Sequence, residues 1–142
     1  MATLEKAIQM AVEAHAGQVD KTGQPYILHP LTLMFSLDVG DEAGRITAVL
    51  HDVVEDSDVT FAELEAAGFS DEVLPALRLL PHDADIPYAE YIAAIPPNQL
   101  ARRVKLADLQ HNMNILRLPQ LRDKDVARLR RYRAAWQQLT HP

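Results

Sequence analysis

Almost every segment of this chain repeats its apolar residues at helical spacing, and none alternates with period two for long enough to build a strand. That property confines the fold to packed helices. Leu4, Ala7, Ile8, Ala11, Ala14 and His15 mark one face of a first helix that ends at Gly17. Residues 18–29 follow as a polar loop broken by Gly23 and Pro25. Pro30 suits the first turn of a second helix to about Val39, and Asp41 caps a third that runs into residues 51–56. Thr60 and Glu63 form a capping box for a short fourth helix closed by Gly68. Ser70 opens a fifth to about Leu80, which Pro75 must kink or shift. Tyr88 to Ile95 is the sixth, and Asn98 caps a seventh through about Arg117. Beyond Pro119, Asp123 opens the last, to about Leu139. The expected fold is all-α, a bundle of about seven to eight helices in one domain over residues 1–142.

The chemistry is densest in His51-Asp52-Val53-Val54-Glu55-Asp56, directly after the apolar run Ile46 to Leu50. On a continuous helix, His51 and Glu55 share one face, as do Asp52 and Asp56. Burying such groups at the end of an apolar helix is costly unless a cation neutralises them. Neighbouring imidazole and carboxylate suit a divalent ion. The plain alternative is a solvated helix end. Two other segments bear on the choice. Lys105, Asp108 and Asn112 fall at i, i+3 and i+7, a single polar stripe on the seventh helix. His29 stands in the loop just before Pro30. A loop His, a His-Asp pair and a later Asp supply two imidazoles and two carboxylates. That shell is adequate for one Mn²⁺, Fe²⁺ or Zn²⁺ with positions left for water and substrate.

Composition narrows the partners. Twenty acidic against fourteen basic residues give a net charge of −6, with no long basic block. This argues against a nucleic-acid binder but leaves room for a small phosphorylated substrate in a local basic pocket. The absence of cysteine excludes disulfides, thiolate catalysis and cysteine zinc sites. No apolar run reaches membrane length and the first residues carry no signal-peptide pattern, so no membrane contact and a cytoplasmic location are expected. The oligomeric state is left open. The last helix has a basic side (Arg128, Arg130, Arg131, Arg133) and an apolar side (Val126, Leu129, Tyr132, Trp136), most simply a helix docked on the core.

Three stretches in order, His15-Ala-Gly-Gln18 with Gly23-x-Pro25-Tyr26-Ile27-x-His29-Pro30, His51-Asp52-Val-Val-Glu55-Asp56-Ser57, and Val104-Lys105-Leu-Ala-Asp108 with His111-Asn112-Met113, resemble the HD superfamily of metal-dependent phosphohydrolases. More narrowly they resemble the hydrolase domain of the RelA/SpoT alarmone enzymes and the small alarmone hydrolases. The resemblance covers roughly residues 4–117. It implies an HD-domain helical bundle that removes the 3′-pyrophosphate of ppGpp or pppGpp, leaving GDP or GTP. It implies His29, His51, Asp52 and Asp108 as ligands of a divalent ion, typically Mn²⁺. It implies that Glu55 and Asp56 position and deprotonate the attacking water. Lys21, Tyr26, Lys105 and Asn112 are the expected substrate contacts, Lys105 as a point charge on a phosphate.

The departures concern the substrate. Where larger relatives carry an Arg-Lys pair, this chain reads Asp20-Lys21. The helix bearing the metal Asp reads Asp108-Leu109-Gln110-His111-Asn112-Met113-Asn114, with Leu109 and Asn114 at basic positions. Each missing arginine removes a potential bidentate phosphate contact. Arg45, Arg102, Arg103 and Arg117 are the candidates to compensate. Two alternatives therefore stand beside alarmone hydrolysis: an HD-type phosphohydrolase for another nucleotide or small phosphorylated metabolite, and a non-catalytic nucleotide- or partner-binding module. His15 is expected to be a packing residue, with His82 and His141 peripheral.

Overall fold

The five residues Ile46–Leu50 begin the longest unbroken buried run of the chain, which closes at His51, and the fold is arranged around them. They belong to α3 (Glu42–Leu50) in a computed structural model that describes every residue from Met1 to Pro142. Asp41 starts this helix by accepting from the Gly44 N–H at 2.9 Å. The same carboxylate takes Nε and Nη2 of Arg103 at 2.8 and 2.9 Å, which ties the start of α3 to α8 (Gln99–Asn112). A methyl group at the Gly44 Cα would overlap the Asp41 carboxylate, so a side chain here displaces the cap. Opposite faces of α3 then enter two apolar clusters. Ala48 joins Leu33, Ala101, Val104, Leu109 and Leu139, which links α2 (Leu28–Ser36), α8 and α9 (Asp123–Thr140). Ile46, Val49 and Leu50 join Ala7, Ala11, Met34, Leu64 and Leu77, which draws in α1 (Leu4–Ala14), α5 (Phe61–Ala66) and α6 (Val73–Leu79). Each fully buried Leu, Ile or Val contributes about 1.5–3 kcal/mol of transfer free energy, so a helix buried on both faces is held firmly.

Two short elements complete the set, a single turn α4 (Val53–Asp56) and α7 (Tyr88–Ala93). A 3-10 turn at Ile115–Arg117 separates α8 from α9. The fold is all-α, with one isolated bridge, Val19 to Pro25, closing the loop before α2. The capping box at Thr60 and Glu63, the Asn98 cap and the positive φ of Gly17 and Gly68 stand as the sequence indicates.

Several boundaries differ, the end of α2 at Ser36 and not near Val39 among them, and three bear on the site. First, α2 starts at Leu28, so His29 lies in its first turn and not in a loop. Pro30 is accommodated there because the first-turn N–H groups lack helical partners anyway. Second, the third helix does not continue through residue 56. The His51 side chain takes the Ala48 carbonyl at 2.7 Å, the acceptor a continuing helix would have offered to the Asp52 N–H. The helix stops, and α4 restarts after Asp52. The continuous helix from His51 to Glu55 is therefore lost, whereas Asp52 and Asp56 stay one turn apart, joined by the Asp56 N–H to the Asp52 carbonyl at 2.9 Å, and the count rises to nine helices. Third, α8 ends at Asn112, because Asn114 caps the following turn through Leu116 N–H at 3.2 Å and Arg117 Nη1 takes the His111 carbonyl at 3.1 Å.

Candidate metal centre and substrate cleft

The first turn of α2, the broken end of α3 and the middle of α8 meet at one point. Each contributes one buried polar side chain there, His29, His51 and Asp108. Their ligand atoms all lie within 4.8 Å of one another. His29 Nε2 is 2.8 Å from Asp108 Oδ1, and His51 Nε2 is 3.5 Å from the same oxygen. Asp52 joins through its Oδ2, 2.9 Å from His51 Nε2. The break in α3 is what brings Asp52 onto this side.

The donor chemistry calls for a cation. His51 Nδ1 donates to the Ala48 carbonyl, so Nε2 faces the site. That nitrogen is buried, close to two carboxylate oxygens, and yet aligned for a hydrogen bond with neither. Close approach without alignment is what donors converging on a shared ion produce, and imidazole with carboxylate is a fitting set for a divalent metal. Without an ion, a proton takes the place: burial alone lowers the His51 pKa, but Asp52 and Asp108 outweigh it and raise it well above the usual value. Burial pushes Asp108 up, and the Lys105 charge with the His29 bond and the nearby His51 ring brings it well below the carboxylate range.

A second acidic group, Asp52, Glu55 and Asp56, adjoins the first. Glu55 Oε1 accepts from the His82 N–H at 3.0 Å. The Asp56 carbonyl accepts from Gln18 Nε2 at 2.7 Å, and Gln18 Oε1 meets His15 Nδ1 at 2.9 Å. Both carboxylates open to the cleft, but the surrounding protein raises their pKa values and Asp52 raises them further. His15 is buried outside the ligand set and His141 is exposed, as expected. His82 is not peripheral: it lines the cleft, stacks on Tyr91 at 4.8 Å, and its backbone orients Glu55.

The cleft encloses about 410 Å³ and is lined by the whole acidic group and by His29 and Asp108 of the first group, but not by His51. Lys21, Tyr26, Lys105 and Asn112 all line it. Three of these are turned toward the ligand carboxylates. The Tyr26 hydroxyl donates to Asp52, Lys105 Nζ to Asp108 at 2.9 Å, and Asn112 Nδ2 to Asp108 at 3.1 Å. Lys105 is no free point charge: it is paired with Asp108, and its pKa is held above the ordinary value because that pairing outweighs burial. Lys21 alone of the four makes no ion pair or side-chain bond.

The sequence departures change meaning here. Asp20 organises its own loop, accepting from Thr22 N–H at 2.8 Å, Thr22 Oγ1 at 2.7 Å and Gln24 N–H at 3.1 Å, and it pairs with Arg117 at 3.5 Å. It is not an unopposed charge facing a substrate. Leu109 is wholly buried in the core and opens no gap in the cleft. Of the four candidate arginines, Arg117 lines the cleft, whereas Arg103 is bound to Asp41 and Arg102 to the Leu139 carbonyl. Arg128 and Tyr132, from the helix expected only to dock on the core, line it too. Also unassigned was His111, at i+3 from Asp108, whose Nδ1 lies 2.6 Å from His29 Nδ1. Burial and then the Arg117 charge lower its pKa to about 4. The i, i+3, i+4 spacing of Asp108, His111 and Asn112 was the signal for it.

Comparison with known proteins agrees with this geometry. The HD domain family model matches residues 7–78, half the chain, taking in His29, His51 and Asp52 but stopping short of Asp108. The guanosine-3′,5′-bis(diphosphate) 3′-pyrophosphohydrolase MESH1 of Danio rerio is 35% identical over 81% of this chain and 69% of its own length. The protein of Aquifex aeolicus carrying the same enzyme name is 42% identical over 44% of this chain, and the bifunctional (p)ppGpp synthase/hydrolase SpoT of Escherichia coli is 32% identical over 80%. The chain spans 9% of the length of the first of these and 18% of the second. A solved structure of a metazoan SpoT ortholog described as hydrolysing ppGpp superposes with a TM-score of 0.82, at 24% identity, over 99% of this chain and 87% of that one. At that identity the match speaks for the fold.

Proposed function

Because this chain belongs to the HD domain family, we propose that it is a divalent-metal-dependent phosphohydrolase that removes the 3′-pyrophosphate of guanosine-3′,5′-bis(diphosphate). The observation that carries the reading is the buried His29–His51–Asp108 convergence, with Asp52 beside it, at the floor of a cleft sized for a nucleotide. His29, His51, Asp52 and Asp108 would hold the ion, Mn²⁺ by preference. When bound, it supplies Lewis acidity toward the phosphoryl oxygens and a water of lowered pKa.

The rest of the chemistry belongs to the chain. Glu55 accepts the His82 N–H on Oε1 and keeps Oε2 free to take a proton from the attacking water. Its raised pKa makes it a stronger base than an ordinary glutamate, and Asp56 stands beside it in the same role. The water oxygen bonds to the phosphorus as that phosphorus separates from the 3′ oxygen, which takes up a proton from the solvent-open cleft while Glu55 holds the one from water, leaving GDP and pyrophosphate. Tyr26 holds Asp52 in place through its hydroxyl, and Lys105 and Asn112 hold Asp108. Lys21 is the contact available to the substrate's phosphates, and Tyr132 offers a ring to the nucleotide.

A second reading, a nucleotide with fewer phosphates, is favoured by one observation. Each arginine in the cleft already has its own acid, Arg117 with Asp20 at 3.5 Å and Arg128 with Asp125 at 2.8 Å. Metal-depleted protein assayed with and without Mn²⁺ against ppGpp, pppGpp and singly 3′-phosphorylated nucleotides separates the two. Turnover of ppGpp above the others supports the first reading, and preference for the monophosphate supports the second. No metal-dependent turnover of any substrate refutes both.

A further inference from the structure

Both imidazoles of the metal centre present Nε2 to it, so in the loaded site each must carry its proton on Nδ1. A proton buried there needs an acceptor, and second partners of this kind set the orientation and basicity of metal-bound histidines. For His51 that acceptor is the Ala48 carbonyl at 2.7 Å. His29 has no carbonyl in that position. Its Nδ1 meets the Nδ1 of His111 at 2.6 Å.

The contact is a hydrogen bond and not a stacking accident. The two ring planes differ by 12°, which in isolation could describe either rings face to face or rings side by side in one plane. Their centroids are 4.9 Å apart, which is the 2.6 Å nitrogen contact with one ring radius added on each side. The rings therefore lie edge to edge in a common plane, with the nitrogen lone-pair directions along the line between them. Two nitrogens this close share one proton, since two N–H groups or two lone pairs would repel. The 2.8 Å contact of His29 Nε2 with Asp108 Oδ1 fixes which edge of the ring faces the centre.

We propose that His111 is a positioning residue for the metal: its Nδ1 accepts the Nδ1–H of His29 and so directs the His29 Nε2 lone pair at the Asp108–His51 centre. His111 is itself held by its neighbours. Its carbonyl accepts from Arg117 Nη1 at 3.1 Å, and Arg117 reaches Asp20 in the loop preceding α2. His111 is thus tied both to α8, on which it sits, and through Arg117 to the Asp20 loop that leads into α2. His111 adds no ligand of its own, since it is not among the side chains whose ligand atoms converge on the centre.

The inference rests on the metal-centre reading above, and one titration series separates their failures. Mn²⁺ affinity is measured by calorimetry on the metal-depleted full chain, alongside the melting temperature of the same sample. His111→Phe keeps ring bulk without an acceptor, and His111→Leu serves the same purpose should the Phe variant not fold. His111→Asn keeps an acceptor oxygen near the position of Nδ1. The expected result is Mn²⁺ binding weakened about 10–100-fold in His111→Phe, as for other supporting partners of metal ligands. His111→Asn should retain most of the affinity, and the metal-free melting temperatures should stay close. Equal weakening in both variants, or unchanged affinity in His111→Phe, overturns the proposal while leaving the metal centre standing. Wild-type protein that binds no Mn²⁺ overturns both.

Discussion

Glu55→Gln separates a proton acceptor from its anchor. Oε1 of Glu55 accepts the His82 N–H at 3.0 Å, and the amide oxygen of Gln can keep that bond. The second oxygen, open to the cleft, becomes an NH₂ group that cannot take a proton from water. Burial raises the Glu55 pKa first, and the Asp52 and Asp56 charges add to it against the lowering effects of His82 and Lys105. Losing a positioned general base costs about 10²–10⁴ in turnover. That is roughly 2.7–5.5 kcal/mol in barrier height, at 1.36 kcal/mol per tenfold. Because Glu55 sits in the acidic group beside the centre and is not among His29, His51 and Asp108, Mn²⁺ affinity should change little. The assay is single-turnover pyrophosphate release at saturating Mn²⁺, with metal affinity measured in parallel. The pH profile adds a sign. Glu55 acts when ionised, so the wild-type rate rises with pH through its raised pKa and then levels, and the variant should lack that acid limb. A loss below about tenfold would refute the assignment, as would a fall in Mn²⁺ affinity matching the fall in rate.

Asp20→Arg should weaken and not improve substrate binding, since it removes three loop hydrogen bonds and the Arg117 partner; stability should drop by about 1–3 kcal/mol, read by denaturant unfolding together with KM. Gly44→Ala should displace the Asp41 carboxylate and cost about 1–2 kcal/mol of cap stabilisation, read as a lower urea midpoint. Asp41 is held below the usual carboxylate range by its Arg103 bond, so its contribution is complete above the unfolded pKa and is lost as pH falls through the lower folded value. Asp41→Asn should therefore flatten the acid side of the stability curve. Mn²⁺ must displace the proton that Asp52 and Asp108 stabilise on His51, so affinity should rise with pH until the raised His51 pKa is passed; calorimetry across that range that finds no pH dependence would contradict it.

Much of the fold was legible because its punctuation is local. Thr60 with Glu63, Asn98 and Gly68 specify helix ends through bonds within three or four residues, and they appear where the sequence puts them. The break after Leu50 was not legible. It depends on the His51 ring capturing the Ala48 carbonyl, a choice set by the metal centre and not by helix propensity. His29, His51, Asp52 and Asp108 were candidate ligands from residue type and from the HD-superfamily resemblance, and their convergence needs three helices whose packing no local pattern encodes. Asp20 makes the same point: sequence shows a charge where relatives carry arginine, whereas its meaning lies in Thr22, Gln24 and Arg117 around it. Arg128 and Tyr132 read as one side and the other of an amphipathic helix, and only the packing of α9 against α7 and α8 places both in the cleft.

The central claim is that these four side chains hold one divalent ion. Crystals of the protein soaked in Mn²⁺ and measured at the manganese absorption edge test it without reference to any substrate. The account predicts one strong anomalous peak about 2.0–2.3 Å from His29 Nε2, His51 Nε2, and carboxylate oxygens of Asp52 and Asp108. A peak held by Asp52, Glu55 and Asp56 without the two histidines, or no peak at that point, would contradict it.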